Sequence, residues 1–440
     1  MNRQFQFFTY GIASMGTGLY TNVPGLLLMF YMTNIIGIDV RLATLAVFAP
    51  KIVDVITDPF MGVISDRTKS RFGRRRPYIL AGALAIGPLF ALLFAVPELQ
   101  SDLASFLFVT GIFIASTLAY TVFAVPYIAL SVEIPNTYHQ RTGINAWRMV
   151  FVMIGILMAG GIAPLIVDWG GGGREGYRVM SMAIGFFCSA VMLTAFFSTR
   201  HVKDPERPLI LTVREQFSLV KANKPFVILF ATYVTQLIGM GCLAAALPYF
   251  ASYIIEGGNS AIAAIFLTLN ITAIIAMPIW VLIGRRISKL KAYVASSTLL
   301  VFAYASLMLV GPEYSFNIFL AQVVVTGIGF GGQQLFSFSM LADTIAHGNK
   351  QLDGARGEAI YAGFFTAGEK TGLAFGALLA GTVLGVMGLV ETTEGVTTQP
   401  EQAIFGIRLA FSMVPAALVG ASLLFMWFYR SFERAQGAEG

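Results

Sequence analysis

What most limits the fold of this chain is its succession of apolar runs, each about as long as a bilayer is thick. Twelve can be marked, at 7–37, 42–65, 78–97, 102–132, 141–168, 178–199, 225–255, 260–283, 291–310, 315–347, 357–388 and 402–429. A helix needs about 20 apolar residues to cross the hydrocarbon core. Inside lipid every backbone N–H and C=O must be satisfied within the chain, so segments cross as helices or as closed barrels, and runs of this length read as helices. Composition agrees. Of the 440 residues, 56% are hydrophobic and 12% charged, against about a quarter charged in a soluble domain. The 45 glycines and 37 phenylalanines suit close helix packing in lipid. The expectation is an all-α integral membrane protein with twelve transmembrane helices.

The formal net charge is +6, but the cations do not cover a polar face as they would for nucleic acid. They gather in short loops after every second run: 66–77, the His139–Arg141 corner, 200–224, Arg285 to Lys291 and Lys350 to Arg356. The opposite loops are poor in cations and partly acidic, with Glu98, Asp102, Glu256 and Glu313. By the positive-inside rule both termini lie in the cytoplasm, and the chain is a multi-pass protein of the plasma (inner) membrane. The first run is too long for a signal-peptide core and is expected to stay as an uncleaved helix. Cys188 and Cys242 fall inside apolar runs and are expected to be packing residues.

The most polar stretch, 200–224, divides the runs six and six. The domains expected are an N-terminal six-helix bundle over 1–199, a cytoplasmic central loop over 200–224, and a C-terminal six-helix bundle with a short tail over 225–440. "GVISDRTKSRFGRRRPYIL" joins runs 2 and 3, and "VLIGRRISKLKAYVA" joins runs 8 and 9 at the same place in the second half. Two six-helix pseudo-repeats with the substrate path between them are the plan of the major facilitator fold.

Four stretches then carry a family resemblance: "DVITDPFMGVISDRTKSRFGRRRPYILAG", "AYTVFAVPYIALSVEI", "QRTGINAWRMV" and "MLADTIAHGNKQLDGARGEAIYAGFFTAGEKTGLAFG". In order and spacing the chain resembles the glycoside–pentoside–hexuronide:cation symporters, the melibiose-permease branch of the major facilitator superfamily. The resemblance implies symport of sugars with sodium, lithium or protons by alternating access. It places the cation site on Asp54 and Asp58 with Thr121 near them, a substrate arginine at Arg148, and a buried lysine at Lys370. The carboxylates that hold galactoside hydroxyls in melibiose permease fall here on Gly18 and Ala124, and a neighbouring tryptophan on Ile128.

The residues themselves say why the acidic segment matters. Lys51, Asp54 and Asp58 are spaced i, i+3, i+7, which lays them on one face of a helix. One charge at the centre of a spanning helix costs about 2.5–3.5 kcal/mol on insertion scales. Three demand partners, water or a cavity. Two carboxylates a turn apart repel when ionised, so the pair invites either a cation or a proton. Asp54, Asp58, Thr57 and Thr121 offer the oxygens that a hard ion such as Na+ takes. The alternative is a static cluster in which Lys51 and Arg148 neutralise the pair. With both galactoside carboxylates missing and Arg148 and Lys370 kept, the substrate site loses negative charge, which favours an anionic solute such as a hexuronide or a sulfosugar.

Further polar or aromatic groups in apolar runs are candidates to line a sugar-sized cavity or to join helices: Lys51, Tyr20, Asn22, Tyr120, Tyr127, Trp147, Gln236 and Gln333. The basic loop orients the chain, and it can also act as a cytoplasmic gate in which Asp66 and Arg67 work with Arg141, Asp343, Arg356 and Glu358. "GIGFGG" at 327–332 has no strand before it and reads as helix packing. No nucleophile–base motif, metal cluster or ATP-binding loop is visible in the sequence. The expectation is therefore a transporter, not an enzyme, with no cofactor beyond its coupling ion. Its partners would be a small-molecule solute and membrane lipid, with no nucleic acid, and it would work as a monomer. A cation-dependent carrier of a lysolipid or other amphiphile is the alternative.

Overall fold

The computed structural model of the protein describes residues 3–99, 101–134, 138–199, 213–311, 314–350, 358–393 and 398–437. All regular structure among them is helical, as backbone in lipid requires. The chain divides into two units. Unit 1 comprises Met1–Arg207, Gly257–Ala263 and Leu389–Gln399, and unit 2 the segments Pro208–Glu256, Ala264–Gly388 and Pro400–Gly440.

Unit 1 contains α1 (Arg3–Tyr31), which runs on through a π-helical turn at Met32–Ile36, then α2 (Val40–Arg67), α3 (Arg76–Leu93), α4 (Asp102–Glu133), α5 (Tyr138–Trp169) and α6 (Gly173–Ser198). In the second half follow α7 (Val213–Ala222), α8 (Lys224–Tyr253), α9 (Gly258–Ile287), α10 (Lys289–Ser306), α11 (Phe316–Lys350), α12 (Glu358–Val386), α13 (Glu401–Phe411) and α14 (Met413–Gly437). Part of the stretch expected as a central loop is thus the short helix α7; residues 200–212 lie outside the described residues.

Several helices begin where the sequence supplies side-chain acceptors. Asp39 accepts from the Arg41 N–H at 2.7 Å to start α2, and Ser101 from Ala104 at 3.2 Å to start α4. Asn223 does the same for α8, accepting from Phe226 at 3.2 Å with Pro225 in the first turn. The π turn after α1 ends at Gly37, whose φ of +82° is left-handed.

Ten candidate spans among the described residues are long and apolar enough to cross a membrane, the last formed by α13 and α14 together. Helices α2 and α12 stand outside that set although they have 28 and 29 residues. They are the helices that carry Lys51, Asp54 and Asp58, and Glu369 and Lys370. These charges lower the hydropathy of otherwise apolar segments. The twelve spans expected from sequence therefore appear as ten apolar spans and two charged helices of spanning length.

The internal repeat is visible in which helices touch. In unit 1, α1 packs on α5 and α6, and α3 on α4 and α6. In unit 2, α8 packs on α12 and α14, and α10 on α11 and α14. The order of partners is the same in both. The closest crossings are made by glycine. A Cβ added at Gly18 of α1 would overlap the Val152 carbonyl of α5 and stand 3.1 Å from the Gly155 Cα. At the equivalent crossing in unit 2, a Cβ on Gly376 of α12 would overlap the Ile238 carbonyl and lie 2.6 Å from the Cys242 nitrogen of α8. Small residues let backbones approach where lipid provides no hydrophobic drive for association.

Candidate functional site

The acidic pair is built on α2 and completed by α4. Asp54 is only 3% exposed. The Thr121 hydroxyl lies 2.9 Å from Asp54 Oδ1 and 3.2 Å from Asp58 Oδ1, and donates to either. One hydroxyl has one proton, so it can serve a single carboxylate at a time. Two carboxylates and a hydroxyl form an all-oxygen donor set, which suits a hard cation. The Thr57 hydroxyl donates back to the Val53 carbonyl at 2.8 Å, which leaves its oxygen lone pairs as acceptors. Lys51 is partly buried one turn before Asp54.

Arg148 of α5 stands in the same unit. Its Nη1 donates to Ser131 Oγ at 2.9 Å and to Asn145 Oδ1 at 3.1 Å, and its Cζ lies 5.1 Å from the centre of the Tyr127 ring. Its Nε is buried and makes no hydrogen bond. Among the described residues no carboxylate pairs with it. The guanidinium is thus held by neutral oxygens and a ring face, which position the cation without neutralising it.

Several of the aromatic candidates are occupied by helix packing. Tyr127 stacks on Tyr10 of α1 at 4.6 Å, donates to the Tyr10 carbonyl at 2.9 Å and shares a 2.7 Å hydrogen bond with Ser14. The Tyr10 hydroxyl returns a bond to the Tyr127 carbonyl. Trp147 meets Phe8 edge-on at 5.0 Å. Tyr20 and Tyr120 stack at 4.5 Å. Asn22 donates to the Gly18 carbonyl at 2.8 Å and so closes on its own helix. Gly18 is the crossing point with α5, and Ala124 is buried.

In unit 2, Gln236 and Gln333 come together in a buried polar network. The Gln236 amide nitrogen donates to Ser422 at 2.9 Å and to Ser297 at 3.3 Å. Its oxygen accepts from the Tyr293 hydroxyl at 2.6 Å and from Gln333 Nε2 at 2.8 Å. All four hydrogen-bonding positions of the Gln236 amide are filled. This joins α8, α10, α11 and α14. Lys370 of α12 is partly buried.

Of the gate residues, Asp66 pairs with Arg75 at 2.6 Å and Asp343 with Lys289 at 2.7 Å, each inside its own unit. Arg67 is exposed at the end of α2. Arg356, and the side chains of Arg141 and Glu358, lie outside the described residues. Sequence reasoning passed over Ser131, Asn145, Lys289, Tyr293 and Ser422. Ser131 carried a signal, for it follows Tyr127 by one helical turn on the face that meets Arg148. Asn145 carried one too, three residues before Arg148 on the same helix; Lys289, Tyr293 and Ser422 have no local signature.

With the geometry in place, similarity to known proteins gives the family. The chain is 24% identical to the isoprimeverose transporter of Lactiplantibacillus pentosus, over 96% of this chain and 88% of that one. It is 21% identical to a glucuronide carrier protein homolog of Escherichia coli (strain K12), over 98% and 93%. Among solved structures, a bacterial homologue of the human lysosomal transporter Spinster superposes with a TM-score of 0.69 at 13% identity, over 97% of this chain and 95% of that one. That likeness shows the fold alone. The description "MFS/sugar transport protein" matches residues 9–431, so the chain belongs to the sugar-transport family of the major facilitator superfamily, as a multi-pass membrane transporter of the glycoside–pentoside–hexuronide type.

Proposed function

We propose that the protein carries an anionic sugar-like solute, a hexuronide or a sulfosugar, together with Na+ or a proton, by alternating access. The observation that carries this reading is the Thr121 hydroxyl of α4 set between Asp54 and Asp58 of α2. A cation crossing with the membrane potential releases about 2.3 kcal/mol per charge per 100 mV, and a buried carboxylate pair is where such a charge can be taken up. Arg148 supports the solute class. A guanidinium held by neutral groups, with a buried and unbonded Nε, favours a carboxylate or sulfonate in a fork geometry. The similarity to a glucuronide carrier homolog and to an isoprimeverose transporter supports a sugar frame.

The test is uptake into proteoliposomes of glucuronides, sulfosugars, neutral glycosides and lysophosphatidylcholine, each with an inward Na+ or proton gradient. Anionic sugars should accumulate above equilibrium, and Asp54→Asn and Asp58→Asn should remove the cation dependence. Accumulation of neutral glycosides alone would overturn the solute class. Transport of lysophosphatidylcholine alone would favour the amphiphile carrier. Gradient-driven accumulation by both asparagine variants would overturn the coupling site.

A further inference from the structure

At the end of unit 2 where the connections are poor in cations, Arg408 of α13 stands without an ionic partner. The residue is partly buried, and its Nε is fully enclosed and makes no hydrogen bond. Among the described residues no carboxylate pairs with it. Its Nη2 lies beside Gly311, where an added Cβ would stand 3.6 Å from it. Gly311 in turn lines a cavity of about 70 Å³ together with Ile254, Ile255, Glu256, Tyr314 and Phe316. The cavity is set between the turn after α8 and the connection from α10 to α11, of which residues 312–313 lie outside the described residues. Glu256 is exposed and likewise forms no ion pair among the described residues. Its φ of +56° is left-handed, a conformation that residues other than glycine seldom take.

An arginine always carries its charge, and its fork of N–H donors calls for an acceptor. The root of this guanidinium is closed off, and the surface around it is apolar. Phe405, one turn before Arg408 on the same side of α13, is 49% exposed, and Leu309, two residues before Gly311, is 70% exposed. On a membrane protein such side chains meet acyl chains. Tyr314 and Phe316 are exposed aromatics of the kind that gather at headgroup level. A cavity of this size has room for several waters or for one phosphate group. Arg408 and Glu256 stand at the same small cavity and do not close on each other. Two opposite charges held apart in this way suit a ligand that carries both.

We propose that this cavity binds the headgroup of an aminophospholipid, with the phosphate on Arg408, the primary ammonium on Glu256, and the acyl chains along Phe405 and Leu309. A guanidinium fork matches phosphate oxygens in two parallel hydrogen bonds. A lipid is favoured over a free phosphate compound because Arg408 shares its side of α13 with an exposed apolar ring. A primary amine is favoured over choline because a carboxylate needs N–H donors, and a quaternary ammonium has none. Bound there, the lipid bridges α13 to the turn after α8.

The experiment follows thermal unfolding of the purified protein in detergent as one of four compounds is added: dioleoylphosphatidylethanolamine, dioleoylphosphatidylcholine, dioleoylglycerol or chain-free phosphoethanolamine. Phosphatidylethanolamine should stabilise wild type saturably, at about a tenfold lower mole fraction than phosphatidylcholine, the scale of one hydrogen bond between charged groups. Dioleoylglycerol and free phosphoethanolamine should have no effect. Arg408→Gln should raise the half-saturating mole fraction of phosphatidylethanolamine about tenfold or more. Glu256→Gln changes an exposed residue, so it should fold, and it should bring the two phospholipids level. Gly311→Leu fills the space beside the guanidinium, where a Cβ has ordinary contact distance, and should weaken the response as Arg408→Gln does; it carries the test if Arg408→Gln fails to fold. A wild type that responds equally to phosphatidylethanolamine and dioleoylglycerol would overturn the headgroup site, as would Arg408→Gln or Gly311→Leu with the wild-type response. A wild type that treats the two phospholipids alike would overturn the aminophospholipid assignment. Stabilisation by free phosphoethanolamine as strong as by the lipid would overturn the lipid in favour of a soluble zwitterion.

Discussion

Two glycines of α1 receive the same substitution with opposite expected results. A Cβ on Gly18 would overlap the Val152 carbonyl and sit 3.0 Å from the Ile156 nitrogen, whereas a Cβ on Gly25 would meet nothing within 4 Å. At Gly18 the obstacle is main chain, which cannot rotate aside, so α1 and α5 must part. Overpacking of a close-packed site destabilises by about 1–3 kcal/mol, and a backbone clash belongs at the upper end. For a unit of this size each kcal/mol lowers the midpoint by about 2–4 °C. Gly18→Ala should therefore unfold about 5–10 °C below wild type. Gly25→Ala should unfold at or slightly above it, since alanine in a helix is favoured over glycine by up to about 1 kcal/mol. Gly18→Asp, which restores a carboxylate at the position where melibiose permease has one, should be worse still, because it adds a buried charge to the clash. The assay is thermal unfolding in detergent, read by tryptophan fluorescence, with retention of a monodisperse elution peak as a second measure. A Gly18→Ala protein as stable as wild type, or a Gly25→Ala protein as damaged as Gly18→Ala, would refute the reasoning from the crossing. The absence of a galactoside carboxylate on α1 would then need another cause than helix contact.

Three other outcomes are expected. Thr121→Val removes the hydroxyl between Asp54 and Asp58 at nearly constant volume, and should raise the cation concentration for half-maximal uptake about tenfold or more, while Thr121→Ser should stay within about threefold of wild type. Arg148→Lys keeps the charge but loses the planar fork held by Ser131 and Asn145, so KM for an anionic sugar should rise about tenfold with kcat little changed. Gln236→Leu removes the acceptor of Gln333 Nε2, while Tyr293 keeps Ser337 and Ser422 keeps the Val419 carbonyl, so it should lower stability by about 1–3 kcal/mol for the one amide left unpaired, read as a lower unfolding midpoint.

Much of the fold was legible because the forces that set it are local or one-dimensional. The length of each apolar run against the thickness of a bilayer marks a helix, and the cation-rich loops mark alternate connections. Where the described residues show ten apolar spans rather than twelve, the two exceptions are α2 and α12, the helices whose charges the sequence already singled out. The helix α7 inside the polar 200–224 stretch was less visible, being only ten residues long. The six-helix repeat showed faintly in two basic loops and plainly in the matching pairs α1–α5 and α8–α12.

The chain by itself determined that three charges share one face of α2, since i, i+3, i+7 spacing needs only helical geometry. Which groups meet that face is a different matter. Thr121 stands 67 residues from Asp54 in sequence, Ser422 stands 186 from Gln236, and no local pattern links either pair. Tertiary packing alone decided that Tyr127 and Trp147 are taken up by contacts with α1, that the Gln236 amide is saturated, and that Arg148 is held by neutral groups. It also decided that Gly18 has no room for a side chain. The reason is physical. A polar group in lipid must find a partner wherever helix faces meet, and which faces meet is set by the docking of whole helices, through close backbone crossings that no single segment contains.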